Sequence, residues 1–257
     1  MLIRPRIVEP VRFEFDADSL PELPSLKLLQ WWQYGIEAER SGGINSLISV
    51  LHNSTNIEYL SISGSSAMGP YYDPKPLSLP QLHTLRLNAV NATLLCQVVN
   101  CWSLPALTNL ILDYHSHEHL HGLWAIGARL QVIELGKHLN FLRRDFLTSC
   151  IENCPNLREL NYFLFFTLPT YFASTHTSLS TINLHFAENA FLAGDLEPSS
   201  PAWVFLEAHF EKLLGPSFPG LQRLRLFECD KIVKFERFIH WEQKLRARGY
   251  LVEFYNT

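Results

Sequence analysis

Residues 79–88 read LPQLHTLRLN and residues 104–113 read LPALTNLILD. In both, one apolar residue is followed by a second three positions on and a third two after that: Leu82-Leu85-Leu87 and Leu107-Leu110-Leu112. The last two members lie two residues apart, the period of a strand with one buried face. The proline two residues before each first leucine cannot continue a helix and biases the chain toward an extended approach.

The same ladder recurs on both sides of this pair. Leu26-Leu29-Trp31 and Ile57-Leu60-Ile62 precede it; Leu130-Ile133-Leu135, Leu157-Leu160-Tyr162, Leu179-Ile182-Leu184 and Leu221-Leu224-Leu226 follow. Successive first anchors lie 22–31 residues apart, with one gap of 42 before Leu221. Lead-ins of the form LPS, LPQ, LPA, CPN and FPG stand before Leu26, Leu82, Leu107, Leu157 and Leu221. One such ladder means nothing in a leucine-rich chain, whereas eight in order define an internal repeat. Helical spacing fills the intervals: Ile44-Leu47-Ile48-Leu51, Leu94-Leu95-Val98-Val99-Trp102, Phe146-Leu147-Cys150-Ile151-Cys154, Val204 to Leu214, and Phe238-Ile239-Trp241-Leu245. Each unit therefore predicts a strand, a rim loop, a helix and a return turn. No such unit buries its apolar face alone, but stacked neighbours do.

These residues resemble a leucine-rich-repeat domain. The resemblance implies an α/β horseshoe solenoid, parallel strands on its concave face and helices on its convex face, with eight to nine irregular repeats in a single domain, 1–257. Residues 1–19, with Val8, Val11, Phe13 and Phe15, are expected to give an N-terminal cap strand. Repeats fill 20–230 with an insertion at 186–218, and 231–257 form a C-terminal cap helix and strand. The varied repeat lengths and the L-P-x-L and C-P-N-L lead-ins look most like the F-box/leucine-rich-repeat proteins, particularly the fungal ones. In that family the repeats hold substrates for a cullin-type ubiquitin ligase, and a separate F-box docks the ligase adaptor. Residues 19–23, SLPEL, run straight into the first ladder, so an adaptor is expected here only if an F-box lies outside this chain.

Composition narrows the function classes. The 257 residues are 47% hydrophobic and 18% charged with net charge −4, too apolar for disorder. No Lys/Arg run exceeds two residues, so the electrostatic footprint of a nucleic-acid binder is missing. The sequence holds no apolar run long enough for a membrane span and no leader-like apolar segment at its start. Five scattered cysteines suit a reduced, intracellular protein, cytoplasmic or nuclear.

One motif points to chemistry. His117-Glu118-His119-Leu120-His121 spells H-E-x-x-H, which on a helix holds zinc through two histidines while the glutamate acts as base. Here it begins five residues after Leu112, on the rim leaving the fourth ladder, and Gly122 and Gly127 weaken any helix it would start. The extended metzincin pattern needs glycine at 124 and histidine at 127; Trp124 and Gly127 stand there. A solvated rim with Leu120, Leu123 and Trp124 reaching inward is the expected structure, and a zinc hydrolase using His117, Glu118 and His121 is the alternative. Phosphate-binding loops and nucleophile elbows are absent from the sequence, and the Cys150/Cys154 pair lacks a second pair to complete a knuckle. The expectation is no catalytic residue, no cofactor and no metal.

Binding is expected on the outward strand positions. The central row reads Gln30, Ser61, Arg86, Ile111, Glu134, Asn161, Asn183 and Arg225; the next reads Trp32, Ser63, Asn88, Asp113, Gly136, Phe163, His185 and Phe227. Mixed charge with aromatics suits another polypeptide better than a small substrate. The candidate partner-binding residues are Trp32, Arg86, Asn88, Asp113, Glu134, Asn161, Phe163, Asn183, His185 and Arg225, with Trp32, Arg86, Phe163 and Arg225 as anchors. The aromatic stretch FLFFTLPTYFA at 163–173 is a second candidate surface. The function read from these residues is non-catalytic recognition of another protein, as a ligase substrate receptor or as a free-standing scaffold, without nucleic acid or membrane.

Overall fold

Proline at the second position of a four-residue turn fixes φ where a β-turn needs it. The computed structural model, which describes residues 21–32, 43–64, 76–90, 92–113, 117–136, 146–164, 175–186, 200 and 202–255, puts the lead-in prolines there. Leu82 N–H donates to Leu79 O at 3.2 Å across Pro80, and Leu107 to Leu104 at 3.3 Å across Pro105. Leu26, Leu157 and Leu221 close the same turn on Leu23, Cys154 and Phe218. The proline thus makes the turn that aims each strand, besides ending the preceding element.

The chain forms two compact units, one up to Ile126 and one from Gly127. In the first, β1 (Leu28–Trp32) leads to α1 (Gly43–His52), β2 (Tyr59–Ser63), β3 (Leu77–Ser78), β4 (Thr84–Asn88), α2 (Ala92–Asn100), β5 (Trp102–Ser103) and β6 (Asn109–Asp113). A 3-10 helix, His117–Arg129, runs across the boundary. The second unit holds β7 (Val132–Leu135), α3 (Phe146–Asn153), β8 (Glu159–Phe163), β9 (Thr181–His185), α4 (Ala202–Leu214), β10 (Arg223–Phe227), α5 (Glu236–Ala247) and β11 (Leu251–Tyr255). The fold is α/β. Among the described residues nine strands run parallel in the main sheet, in the order β1-β2-β4-β6 within the first unit and β7-β8-β9-β10-β11 within the second, and β3 pairs with β5 in a small parallel ladder.

The ladder leucines are in register. Leu29, Leu60, Leu85 and Leu110 are successive partners in the first unit, and Ile133, Leu160, Ile182, Leu224 and Val252 in the second. Nearly all are fully buried, with the first anchors Ile57, Leu82, Leu107, Leu130, Leu157 and Leu179 beneath them. Each turn hands on to the next through one shared carbonyl. Lys27 O accepts Glu58 and Tyr59 N–H, Glu58 O accepts His83 and Thr84, and His83 O accepts Thr108 and Asn109. In the second unit Gln131, Arg158 and Ser180 carbonyls do the same for Arg158/Glu159, Ser180/Thr181 and Gln222/Arg223. Residues with left-handed backbone end three of the strands: Gly64, Ala89 (φ 53°) and Glu228 (φ 58°). Their N–H groups donate to the carbonyls ending the next strand, Asn88, Asp113 and Tyr255.

Two expectations change. Trp102, read with the second helix, instead opens β5, where it pairs with Leu77. The segment after β6, read as a solvated rim, winds as a 3-10 helix in which Leu123 and Trp124 are buried. The N-terminal cap segment 1–19, residues 187–199 of the insertion and 165–173 of the aromatic stretch lie outside the described residues. Among the described residues, no helix is long and apolar enough to cross a membrane.

Candidate functional site

Period-two alternation places every second strand residue on the face away from the buried leucines. In the second unit the central outward row runs Glu134, Asn161, Asn183, Arg225, Glu253 across β7 to β11. Side chains on this row join across strands. Asn183 Nδ2 donates to Glu159 Oε1 at 2.7 Å and also to Asn161 Oδ1. Arg225 Nε donates to Glu253 Oε2 at 3.2 Å. Arg223 Nε approaches the same oxygen at 3.6 Å, an ion pair beyond hydrogen-bond reach. Asn183 is only 5% exposed, so it braces the face from within, and its Oδ1 is buried without a hydrogen-bond partner.

The next row is aromatic. Phe163, His185, Phe227 and Tyr255 are successive register partners. Their rings stack: Phe163 on His185 at 4.7 Å and 25°, His185 on Phe227 at 4.6 Å and 11°, Phe227 on Tyr255 at 5.0 Å and 17°. The centroid spacing equals the distance between neighbouring strands, about 4.8 Å, which is why one ring per strand stacks without strain. Burial among these rings lowers the pKa of His185, and the Glu228 carboxylate partly opposes that shift. A neutral imidazole therefore sits in the stack at neutral pH.

The first unit presents a different face. Arg86 lies between Ser61 and Ile111 in register, and Asn88 between Ser63 and Asp113. Ser61 and Ser63, read as outward, are buried, because short side chains between longer neighbours are covered. Asp113 Oδ1 is also buried without a hydrogen-bond partner. Trp32 ends β1 and is 62% exposed.

Of the ten candidate residues, Trp32, Arg86, Asn88 and Asp113 in the first unit and Glu134, Asn161, Phe163, His185 and Arg225 in the second occupy outward strand positions, while Asn183 lies on the same face but is buried, its side chain engaged by Glu159 and Asn161. Sequence reading missed Glu253 and Tyr255, which carry both rows onto β11. Counting the alternation of LVEFY against Leu224 and Leu226 would have found them.

Other buried polar groups pair inside the core. Tyr162 replaces a ladder leucine, and its hydroxyl meets His209 Nδ1 at 3.2 Å in the core; burial pushes its pKa up. Leu179 N–H donates to buried His176 Nδ1 at 3.2 Å, so the proton is on Nε2, which donates to Cys154 O at 2.9 Å. Burial, with Cys154 beside it, holds the Cys150 thiol well above its ordinary pKa, and Cys229 is pushed up to about 11. That is opposite to an activated nucleophile. Among the described residues no group of three or more His, Cys, Asp or Glu could hold a metal ion.

Compared with family models, curated proteins and solved structures, the chain matches none.

Proposed function

We propose that the chain is a non-catalytic recognition module of leucine-rich-repeat type that binds another protein through the outward strand faces. The observation that carries this reading is the four-ring row Phe163–His185–Phe227–Tyr255 beside the Glu253–Arg225 pair. Aromatic and arginine side chains held on a rigid sheet bind a polypeptide with little loss of their own freedom, which is how interface anchors work. The parallel strands within each unit support the same use, since their outward positions line up in rows across neighbouring strands.

The test compares full-length protein with a variant carrying Trp32→Ala, Arg86→Ala, Phe163→Ala and Arg225→Ala. Both serve as bait in the native cell, and captured proteins are quantified. A partner held by the parent and lost from a variant that still melts cooperatively supports the reading; equal capture by both overturns it. Service as a substrate receptor for a ubiquitin ligase is the narrower form, supported by the F-box-family lead-ins. Co-purification of a ligase adaptor with the full chain tests it.

A further inference from the structure

We propose that the open edge of β11 receives an extended segment of another protein as a further parallel strand, with the pattern basic–apolar–aromatic. Among the described residues, the ring row and the charged row both stop at this strand with one side unfilled. One face of Tyr255 rests on Phe227 at 5.0 Å, and the other looks past the last strand; Tyr255 is 39% exposed. Glu253 holds Arg225 on its β10 side. The Tyr255 hydroxyl also donates to Glu253 Oε2 at 3.4 Å, and Arg223 stands near it. A carboxylate nevertheless accepts up to about four hydrogen bonds, so a further cation can join it from the open side.

The backbone is arranged for pairing. Leu251 N–H donates to Gln222 O and Glu228 N–H to Tyr255 O, which turns the odd-numbered residues of β11 toward β10. Parallel ladders alternate, so the N–H and C=O of Val252 and Phe254 point to the open side. Arg246 Nη2 covers the Val252 carbonyl at 2.9 Å; Phe254 supplies the donor and acceptor for an incoming strand. Edge strands are ordinarily blunted by lysine, proline or a bulge. LVEFY has none, and Leu251 and Phe254 are 48% and 39% exposed.

An incoming strand in register would place a basic residue opposite Glu253, an aromatic opposite Tyr255 and an apolar residue against Phe254 between them. β10 carries that pattern on the other side of β11, as Arg225-Leu226-Phe227. Its sequence, QRLRLFE of residues 222–228, is therefore the probe.

The experiment titrates the full chain into the labelled probe peptide and into a control with glutamate for the central arginine and serine for the phenylalanine. Saturable binding of the probe alone is expected. Glu253→Lys should weaken it about tenfold, the worth of one charged hydrogen bond. Tyr255→Ala should erase the preference for phenylalanine over serine. Phe254→Pro should abolish binding, because it deletes an outward N–H while sparing those that face β10; circular dichroism checks the fold, and the first two variants stand if it fails. Equal binding of both peptides, or undiminished binding by Glu253→Lys and Tyr255→Ala, overturns the proposal. So does self-association that excludes the peptide, since the edge would then serve a second copy. The proposal extends the recognition reading but fails separately: a silent probe leaves capture through the outward faces untouched, and lost capture leaves probe binding untouched.

Discussion

Gly122 and Gly127 sit in one 3-10 helix, yet a side chain would meet different surroundings at each. A Cβ at Gly122 finds only Val99 Cγ2 at 3.5 Å, an ordinary contact. At Gly127 it collides with the Asn153 carbonyl oxygen and stands 3.1 Å from Cys154 Sγ. Backbone cannot yield as a flexible side chain does. Gly127→Ala should cost about 2 kcal/mol, lowering Tm by about 4–8 °C, whereas Gly122→Ala should leave Tm unchanged or slightly raised; thermal melts of the two decide it. His185 makes a second residue-level case. Its pKa is lowered by burial, against the opposing pull of Glu228, so protons bind the unfolded chain more readily than the folded one. Its contribution is complete above about pH 6.5 and is lost as pH falls through the lower folded value. Between pH 7.5 and 5 the parent Tm should therefore drop more than that of His185→Phe, which keeps a ring in the stack. Parallel pH profiles would defeat this account.

Helices α4 and α5 are joined by one carboxylate. Glu207 accepts from Arg237 Nε at 2.5 Å and Nη2 at 2.7 Å, and from Trp241 Nε1 at 3.1 Å, while Arg237 also lies 5.5 Å from the Trp203 ring centre. The Arg237 guanidinium holds the Glu207 carboxyl below its usual range, so the stabilisation is present above pH 4.5 and lost as pH falls through the folded value. Glu207→Gln should cost about 0.5–1 kcal/mol at pH 7, the upper range for a partly exposed pair. The Tm deficit should shrink as pH falls below 4.5; a deficit independent of pH would mean the residue acts by packing alone. Elements of this kind were largely legible. Helical spacing at 44–51, 146–154 and 238–245 matches α1, α3 and α5, because amphipathic periodicity reports the buried face directly. The ladders gave strand register for a similar reason: parallel strands align identical apolar positions. What stayed hidden depends on partners distant in sequence. Nothing in the sequence marks His176 as the acceptor for Leu179 N–H, where other repeats use a backbone carbonyl. Nor does local spacing reveal that Glu207 waits for Arg237, thirty residues on, or that both outward rows continue onto β11.

At the scale of the molecule, the shared-carbonyl steps make the second unit a sequence of nearest-neighbour links. Arg223 N–H donates to Ser180 O and Leu251 N–H to Gln222 O, the same bond one repeat apart. β10 has a strand on each side, β9 and β11, while β11 has its register partner on β10 alone among the described residues. Stability that sums repeat and interface terms predicts easier opening where one interface is missing. Under native conditions the Leu251 amide should exchange with solvent through a smaller opening free energy than the Arg223 amide, although their hydrogen bonds are alike. Hydrogen exchange read residue by residue measures both. Equal values, tracking global unfolding, would make the unit one cooperative block. Unequal values would show the same feature that makes β11 receptive to another strand: its edge opens first, and a peptide seated there should bring Leu251 toward the protection of Arg223.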